Sequence, residues 1–232
     1  MTSSPTLDLE DTAARAGDEL EGATALEILR WAADTFGAGF AVASSMQDAV
    51  LIHLAAQAAP GVDVLFLDTG YHFAETLGTR DAIATGYDVN LITLTPQLTV
   101  AEQDARFGAK LHDRDPDACC GMRKVEPLSR ALQHYTAWAT GVRRTEAPSR
   151  AGTRVVSYDP KRGKVQVAPL AAWSDSDIDA YVVEHGILTN PLQSAGYLSI
   201  GCAPCTRAVA AGEDPRAGRW AGSTKTECGI NQ

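Results

Sequence analysis

Short runs of consecutive apolar residues, each closed by a polar turn, constrain this chain more than any other feature. Val64-Leu65-Phe66-Leu67 shows no polar alternation and ends in Asp68-Thr69-Gly70, and Phe40-Ala41-Val42-Ala43 ends in Ser44-Ser45. A strand with one wet face alternates, so runs of this kind fit strands covered on both sides. Helix-like segments separate them: residues 49–59, stopped by Pro60-Gly61, then 73–85 and 99–107, with a further strand at 89–94. Strands alternating with helices predict an α/β fold with a mostly parallel central sheet and helices on both faces.

The remaining chain is read by the same signals. Leu26, Ile28, Leu29, Ala32, Ala33 and Phe36 recur near helical spacing behind a Thr24 cap. Residues 122–132 read as helix, and the strand-like 136–140 leads into Gly141-Val142-Arg143-Arg144. Residues 145–153 look like a mobile loop, while 154–158 and 164–167 form a hairpin or two sheet-edge strands. Ser174, with Asp175 and Asp177 behind it, starts a helix to residue 185. Beyond Asn190, Gly, Pro, Ser and Cys dominate and regular structure is hard to assign. The 232 residues divide into an N-terminal helical extension (1–23), a nucleotide-binding domain (24–210) and a mobile C-terminal segment (211–232).

Composition excludes several classes. The apolar fraction of 45% suits a packed core and is too high for disorder. No apolar run approaches the roughly 18 residues of a membrane span. The acidic start, with Asp8, Glu10, Asp11 and Asp18, does not resemble a secretory signal, so the expected location is cytoplasmic. A net charge of −9 argues against nucleic-acid binding. The charge is uneven: residues 1–100 hold three basic side chains against 14 acidic ones, and residues 101–232 hold 17 against 15. An anionic small molecule would therefore meet its cations in the second half, although two differently solvated surfaces would give the same count.

In an open parallel sheet, ligands sit beyond the carboxyl ends of the strands. Ser44-Ser45, Asp68-Thr69-Gly70 and Gly141–Arg144 each follow a predicted strand and would face one crevice, a nucleotide-type pocket. Neither G-x-x-x-x-G-K-[ST] nor G-x-G-x-x-G occurs, so an ordinary P-loop or dinucleotide site is not expected.

Four of the five cysteines form two pairs, Cys119-Cys120 and Cys202-Ala-Pro-Cys205. Four thiolates suit either a Cys₄ zinc ion or a [4Fe–4S] cluster. Adjacent side chains diverge, which is awkward for one tetrahedral ion; a cluster spreads its ligand positions over several irons and accommodates adjacency better. Cys228 stands apart, in Lys225-Thr226-Glu227-Cys228-Gly229 near the C-terminus. It is either an unused thiol or a nucleophile carried on a flexible segment, with Lys225, Arg216 and Arg219 favouring its thiolate.

Cys-Cys-Gly-Met-Arg-Lys-Val-Glu-Pro-Leu (119–128), Ile-Gly-Cys-Ala-Pro-Cys-Thr-Arg (200–207), Gly-Arg-Trp (218–220) and Lys-Thr-Glu-Cys-Gly (225–229) together resemble assimilatory adenylyl-sulfate (APS) reductases. Leu-Asp-Thr-Gly-Tyr (67–71) and Thr-Gly-Val-Arg-Arg (140–144) also look like that family, and the resemblance runs from about residue 24 to the end. It implies an adenine-nucleotide α-hydrolase-like sheet related to PP-loop enzymes. It also implies a [4Fe–4S] cluster on Cys119, Cys120, Cys202 and Cys205. The implied reaction is reduction of APS to sulfite and AMP, by attack of Cys228 on sulfur and release of the S-sulfocysteine by thioredoxin or a glutaredoxin-like dithiol. Lys124, Arg216 and Arg219 match positions that contact the sulfate end. Arg143 and Arg144 would suit the α-phosphate or ribose. Ser44, Ser45 and Asp68 lie where the family forms its modified phosphate loop and adenosine pocket; His72 is a pocket-lining or an ordinary loop histidine. Analogy with relatives implies a homo-oligomer. The family's tail commonly ends in His two residues after Cys-Gly's glycine; here Asn231 takes that place, and Asn carries no positive charge. Asn231→His is therefore expected to raise the thiolate fraction of Cys228, read as alkylation rate against pH. The rival readings are a PAPS or dual APS/PAPS reductase and, more distantly, a zinc-stabilised PP-loop nucleotide-binding protein without reductase activity.

Overall fold

The structure, a computed structural model, describes residues 8–223 and 225–231. Expectations for residues 1–7 and for the side chain of Asn231 lie outside the described residues. The chain runs α1 (Leu9–Glu19), α2 (Ala25–Phe36), β1 (Phe40–Ser44), α3 (Val50–Ala58), β2 (Val62–Leu67), α4 (Ala74–Gly86), β3 (Val89–Leu94) and α5 (Val100–Phe107). It continues through α6 (Leu111–Arg114), α7 (Pro116–Cys120), α8 (Glu126–Ala131), β4 (Ala137–Thr140), β5 (Val156–Asp159), β6 (Lys164–Val167) and α9 (Asp175–His185). Among the described residues the strands form one six-stranded sheet in the order β3-β2-β1-β4-β6-β5. All neighbours are parallel except β5 and β6, which make an antiparallel hairpin at the sheet edge. No helix among the described residues is long and apolar enough to cross a membrane.

The unbroken apolar runs have the expected cause. Phe40 and Val42 of β1, Val64 and Phe66 of β2, and Ala137 and Ala139 of β4 pack into the larger core on one face. Ala41, Leu65 and Trp138, one residue out of phase, pack with Leu128, Leu132 and Tyr135 on the other. Successive side chains leave a strand on opposite faces, so a sheet covered twice needs apolar residues at both phases. The helices start where side chains cap their free N–H groups: Thr24 with Glu27, Thr99 with Glu102 and Ser174 with Asp177 form reciprocal capping boxes.

α1 packs on the sheet, with Ala13 and Ala16 buried in the larger core, and two later segments differ from expectation. At Gly17 the carbonyl oxygen of Val156 lies 2.5 Å from where a Cβ would sit, so no side chain would fit there. Residues 145–153 form two 3-10 turns, Arg144–Glu146 and Pro148–Arg150, and charged contacts anchor them. The helix expected over 122–132 begins earlier, at Pro116, and passes through a π turn at Gly121–Val125 before α8. Asp115 caps it and Pro116 occupies the first turn, a start signal that was present in the sequence.

Candidate active site

The strand order reverses between β1 and β4, and the loops that follow those two strands flank a cavity of about 230 Å³. Ser44, Ser45, Gln47 and Asp48 line one side, Thr140–Arg143 another. Leaving β1, Ser44 Oγ accepts the N–H of Met46 (3.2 Å), and Met46 takes the left-handed conformation with φ of 60°. Asp48 Oδ1 then accepts the N–H of Val50 (3.0 Å) at the start of α3. A tight polar turn opening a helix N-terminus in this position favours an anion through the positive end of the helix dipole.

The turn is braced from the C-terminal half. Asn190 is fully buried and donates to Met46 O (3.2 Å) and Thr76 Oγ1 (3.1 Å). Gln47 Oε1 accepts the Ile200 N–H (3.0 Å), and Gln47 Nε2 donates to Leu198 O (3.3 Å). The segment that carries Cys202 is thereby tied to the phosphate-type loop. Neither Asn190 nor Gln47 belongs to a motif of the sequence, although Asn190-Pro191, a cap followed by proline, is a local start signal.

Cys119, Cys120, Cys202 and Cys205 all line a second, smaller cavity, together with Arg123, Lys124 and Arg219. Two local features gather them. The π turn directly follows the Cys119-Cys120 pair, and such turns recur at functional sites. Arg207 N–H donates to Gly218 O and Trp220 N–H to Cys205 O (3.0 Å each), which joins the Cys-Ala-Pro-Cys and Gly-Arg-Trp segments. Gly201 permits a close approach: a Cβ there would lie 2.5 Å from the Arg219 guanidinium. Thr69 Oγ1 lies 3.3 Å from Cys202 Sγ, and Arg123 Nη1 donates to Thr69 O (2.9 Å). Among the described residues no group of three or more His, Cys, Asp or Glu is arranged to hold a metal ion. Burial and the nearby Cys202 push the thiols of Cys119 and Cys205 up, the latter to about 11. Four thiols around one cavity, ringed by Arg123, Lys124 and Arg219, form a donor set that fits a polynuclear iron–sulfur centre.

Cys228 opens onto the nucleotide-type cavity with Lys124, Arg216 and Arg219. A hydrogen bond from Cys120 pushes its thiol below the ordinary value; burial opposes this, and Lys124, the Ile230 N–H and Arg219 add to it. Cys120 is pushed up correspondingly by that bond and by burial. With Cys120 committed to a metal centre, Lys124, Arg219 and the Ile230 N–H remain to favour the thiolate. Burial works against the charge of Lys124, yet Cys202, Cys228 and Cys120 outweigh it and hold the ammonium above its ordinary value. Arg219 donates to Ser199 Oγ (3.1 Å) and Ile200 O (3.3 Å) and lies 4.6 Å from the Trp220 ring centroid.

The structure brings together on this cavity Cys228, Lys124, Arg216, Arg219, Arg143, Ser44 and Ser45. His72 lines it too, with Nε2 2.7 Å from Leu67 O. Two expected residues lie elsewhere. Asp68 does not line the cavity; its Oδ1 accepts the Gly70 N–H (2.9 Å), closing the turn under Thr69. Arg144 is turned away, paired with Glu21 (2.5 Å) and donating to Thr153 O (2.7 Å). In its place the cavity takes Arg150, from the segment read as a mobile loop.

Residues 39–208 match the phosphoadenosine phosphosulfate reductase domain. The chain is 66% identical over 226 residues to an adenosine 5′-phosphosulfate reductase of Streptomyces coelicolor, covering 97% of this chain and 96% of that one. It is 54% identical over 231 residues to the protein of that name from Mycolicibacterium smegmatis, covering 100% and 98%. Its structure is similar to that of a phosphoadenylyl-sulfate (PAPS) reductase from Candida auris in a phosphate complex, with a TM-score of 0.74 and 25% identity, over 88% of this chain and all of that one. An FMN adenylyltransferase from Candida glabrata shares the fold at a TM-score of 0.58 and 12% identity, over 88% and 66% of the two chains.

Proposed function

The chain belongs to the phosphoadenosine phosphosulfate reductase family, and from that premise we propose that it reduces adenylyl sulfate to sulfite and AMP in sulfate assimilation. The observation that carries this reading is a single cavity shared by a nucleophilic thiol, Cys228, the Ser44-Ser45 turn at the sheet's switch point, and five cations, Lys124, Arg143, Arg150, Arg216 and Arg219. The turn and α3 N-terminus hold the 5′-phosphate; Lys124, Arg216 and Arg219 take the sulfate end.

The Cys228 thiolate attacks sulfur and a new S–S bond forms. The bond between sulfur and the bridging oxygen breaks, and AMP leaves with that electron pair. Attack brings an anion onto an anion, so the barrier depends on fixed positive charge around the transferring group. A thiolate of the reduced dithiol donor then attacks the Cys228 sulfur and sulfite departs. The donor's second thiol resolves the mixed disulfide, so the donor is oxidised by two electrons and Cys228 is restored. Thioredoxin or a glutaredoxin-like protein suits this step. A [4Fe–4S] cluster on Cys119, Cys120, Cys202 and Cys205 supplies, when bound, fixed charge and rigidity beside Lys124 and Arg219. The relatives' names favour APS over its 3′-phosphorylated form as substrate.

Sulfite release from APS and from PAPS, measured side by side with a reduced dithiol donor, tests the reading. It predicts turnover of APS with kcat/KM well above that for PAPS. PAPS preference would move the chain to the sister activity, and turnover of neither would remove the reductase reading.

A further inference from the structure

Glu227 is buried, and two arginines and a serine hold its carboxylate. Arg150 Nε and Nη2 donate to Oε1 and Oε2 (2.8 Å each), a two-pronged pair. Ser149 Oγ donates to Oε1 and Arg216 Nη2 to Oε2 (3.1 Å each). Glu146 approaches Arg150 from the other side (2.5 Å) and Arg143 beyond it (3.6 Å). Charges therefore alternate from Arg143 through Glu146, Arg150 and Glu227 to Arg216. All five side chains line the nucleotide-type cavity, and Glu227 is peptide-bonded to Cys228.

We propose that Glu227 is the positioning residue for Cys228. It is an ionic latch that docks the tail against the 144–150 turns, so that loop closure over the nucleotide and delivery of the thiol occur as one event. The tail has other contacts: Arg216 Nη2 also donates to Thr226 O (3.1 Å), Cys228 meets Cys120, and Lys225 lies over the Trp220 ring. Lys225 pairs with Asp117, and Ile230 packs on the smaller core, while residues 221–223 and Thr226 are exposed. The latch couples the two segments reciprocally: a nucleotide that orders the loop through Arg143 and Arg150 tightens the tail, and a docked tail tightens the nucleotide. A salt bridge suits a segment that must also leave, because arginine and carboxylate recover water when they part, which an apolar anchor does not.

The inference rests on the reading of Cys228 as nucleophile, and its test separates the two. Anaerobically purified holoenzyme is treated with trypsin with and without AMP, and cleavage after Lys225 is followed by mass spectrometry. AMP should slow cleavage of the wild-type tail. Glu227→Gln should be cleaved roughly tenfold faster or more, and AMP should no longer protect it. At saturating APS its rate of Cys228 S-sulfonation should fall about tenfold while KM for APS rises by no more than the factor by which AMP slows wild-type cleavage, the signature of lost positioning beyond the coupled binding. Glu227→Asp should recover part of both. Retained AMP protection in Glu227→Gln, or a raised KM at unchanged kcat, would overturn the latch. If Glu227→Gln loses its visible chromophore or its fold, Glu227→Asp alone decides: cleavage and AMP protection equal to wild type would overturn it. If the wild type transfers no sulfonate at all, the reductase reading fails, while the proteolysis still reports on the latch.

Discussion

The sheet and the C-terminal third of this molecule are held together in opposite ways. β1, β2 and β4 bury Phe40, Phe66 and Trp138 between two apolar layers, and backbone ladders fix their register. Residues 186–231 carry the Cys202 pair, Arg219 and Cys228, yet their described residues form short 3-10 turns and isolated bridges rather than long helices or strands. Side-chain contacts hold this region: Asn190 and Gln47 on the phosphate-type loop, Arg219 beside Gly201, and Arg150 and Arg216 on Glu227. Apolar burial gives cooperative stability. Specific polar contacts give a segment that docks in one place and can leave it. The nucleotide-type cavity lies where the first kind of structure meets the second.

The comparison can be broken at four points, in falling order of effect. Cys228→Ser should remove sulfite release down to background while leaving Tm unchanged, because the thiol belongs to neither apolar core; a fall in Tm would contradict that independence. Cys202→Ser should abolish the visible chromophore and most activity. Iron, sulfide and zinc assays check the premise: about four irons and four sulfides per wild-type chain are expected, and one zinc without sulfide would replace the cluster. Trp138→Ala, in the smaller core, should cost about 3–5 kcal/mol of stability, read by denaturant melts, whereas Glu227→Gln should leave Tm within about 2 °C because its cost is capped by local opening. Asp48→Asn should act least. Burial holds the Asp48 carboxyl above its ordinary value, so protonation in the folded state offsets the strain. Its contribution is fully present below the unfolded value of about 3.9 and fades as pH rises through the folded one. Asn keeps the acceptor for the Val50 N–H. At neutral pH it should raise Tm slightly, by under about 4 °C, and a melt near pH 3.5 should show no gain.

The same contrast decides what could be read from residues alone. Val64-Leu65-Phe66-Leu67 announced a strand covered on both faces, and Ser44-Ser45 and Gly141–Arg143 announced the crevice, because strand periodicity and turn chemistry are local. The two cysteine pairs were legible from local spacing, and the structure places all four thiols around one cavity. Arg144 and Asp68 were drawn into the pocket because each follows a strand; which way a turn residue faces depends on partners far along the chain, Glu21 for one and the closing of the Gly70 turn for the other. Residues 145–153 looked mobile because Pro, Ser, Gly and Thr carry no periodic signal, and their anchor, Glu227, lies more than seventy residues away. The π turn at Gly121–Val125 left no trace either, since its residues are ordinary helix formers apart from the glycine.

The central claim is that Cys228, brought to the nucleotide cavity by an otherwise irregular tail, receives the sulfonate. Anaerobically purified protein mixed with stoichiometric APS and no dithiol, then peptide-mapped by mass spectrometry, tests it most directly. The account predicts one sulfonate on Cys228 per AMP released, and none on the other four cysteines. AMP release without an adduct, or an adduct on a different residue, would contradict it.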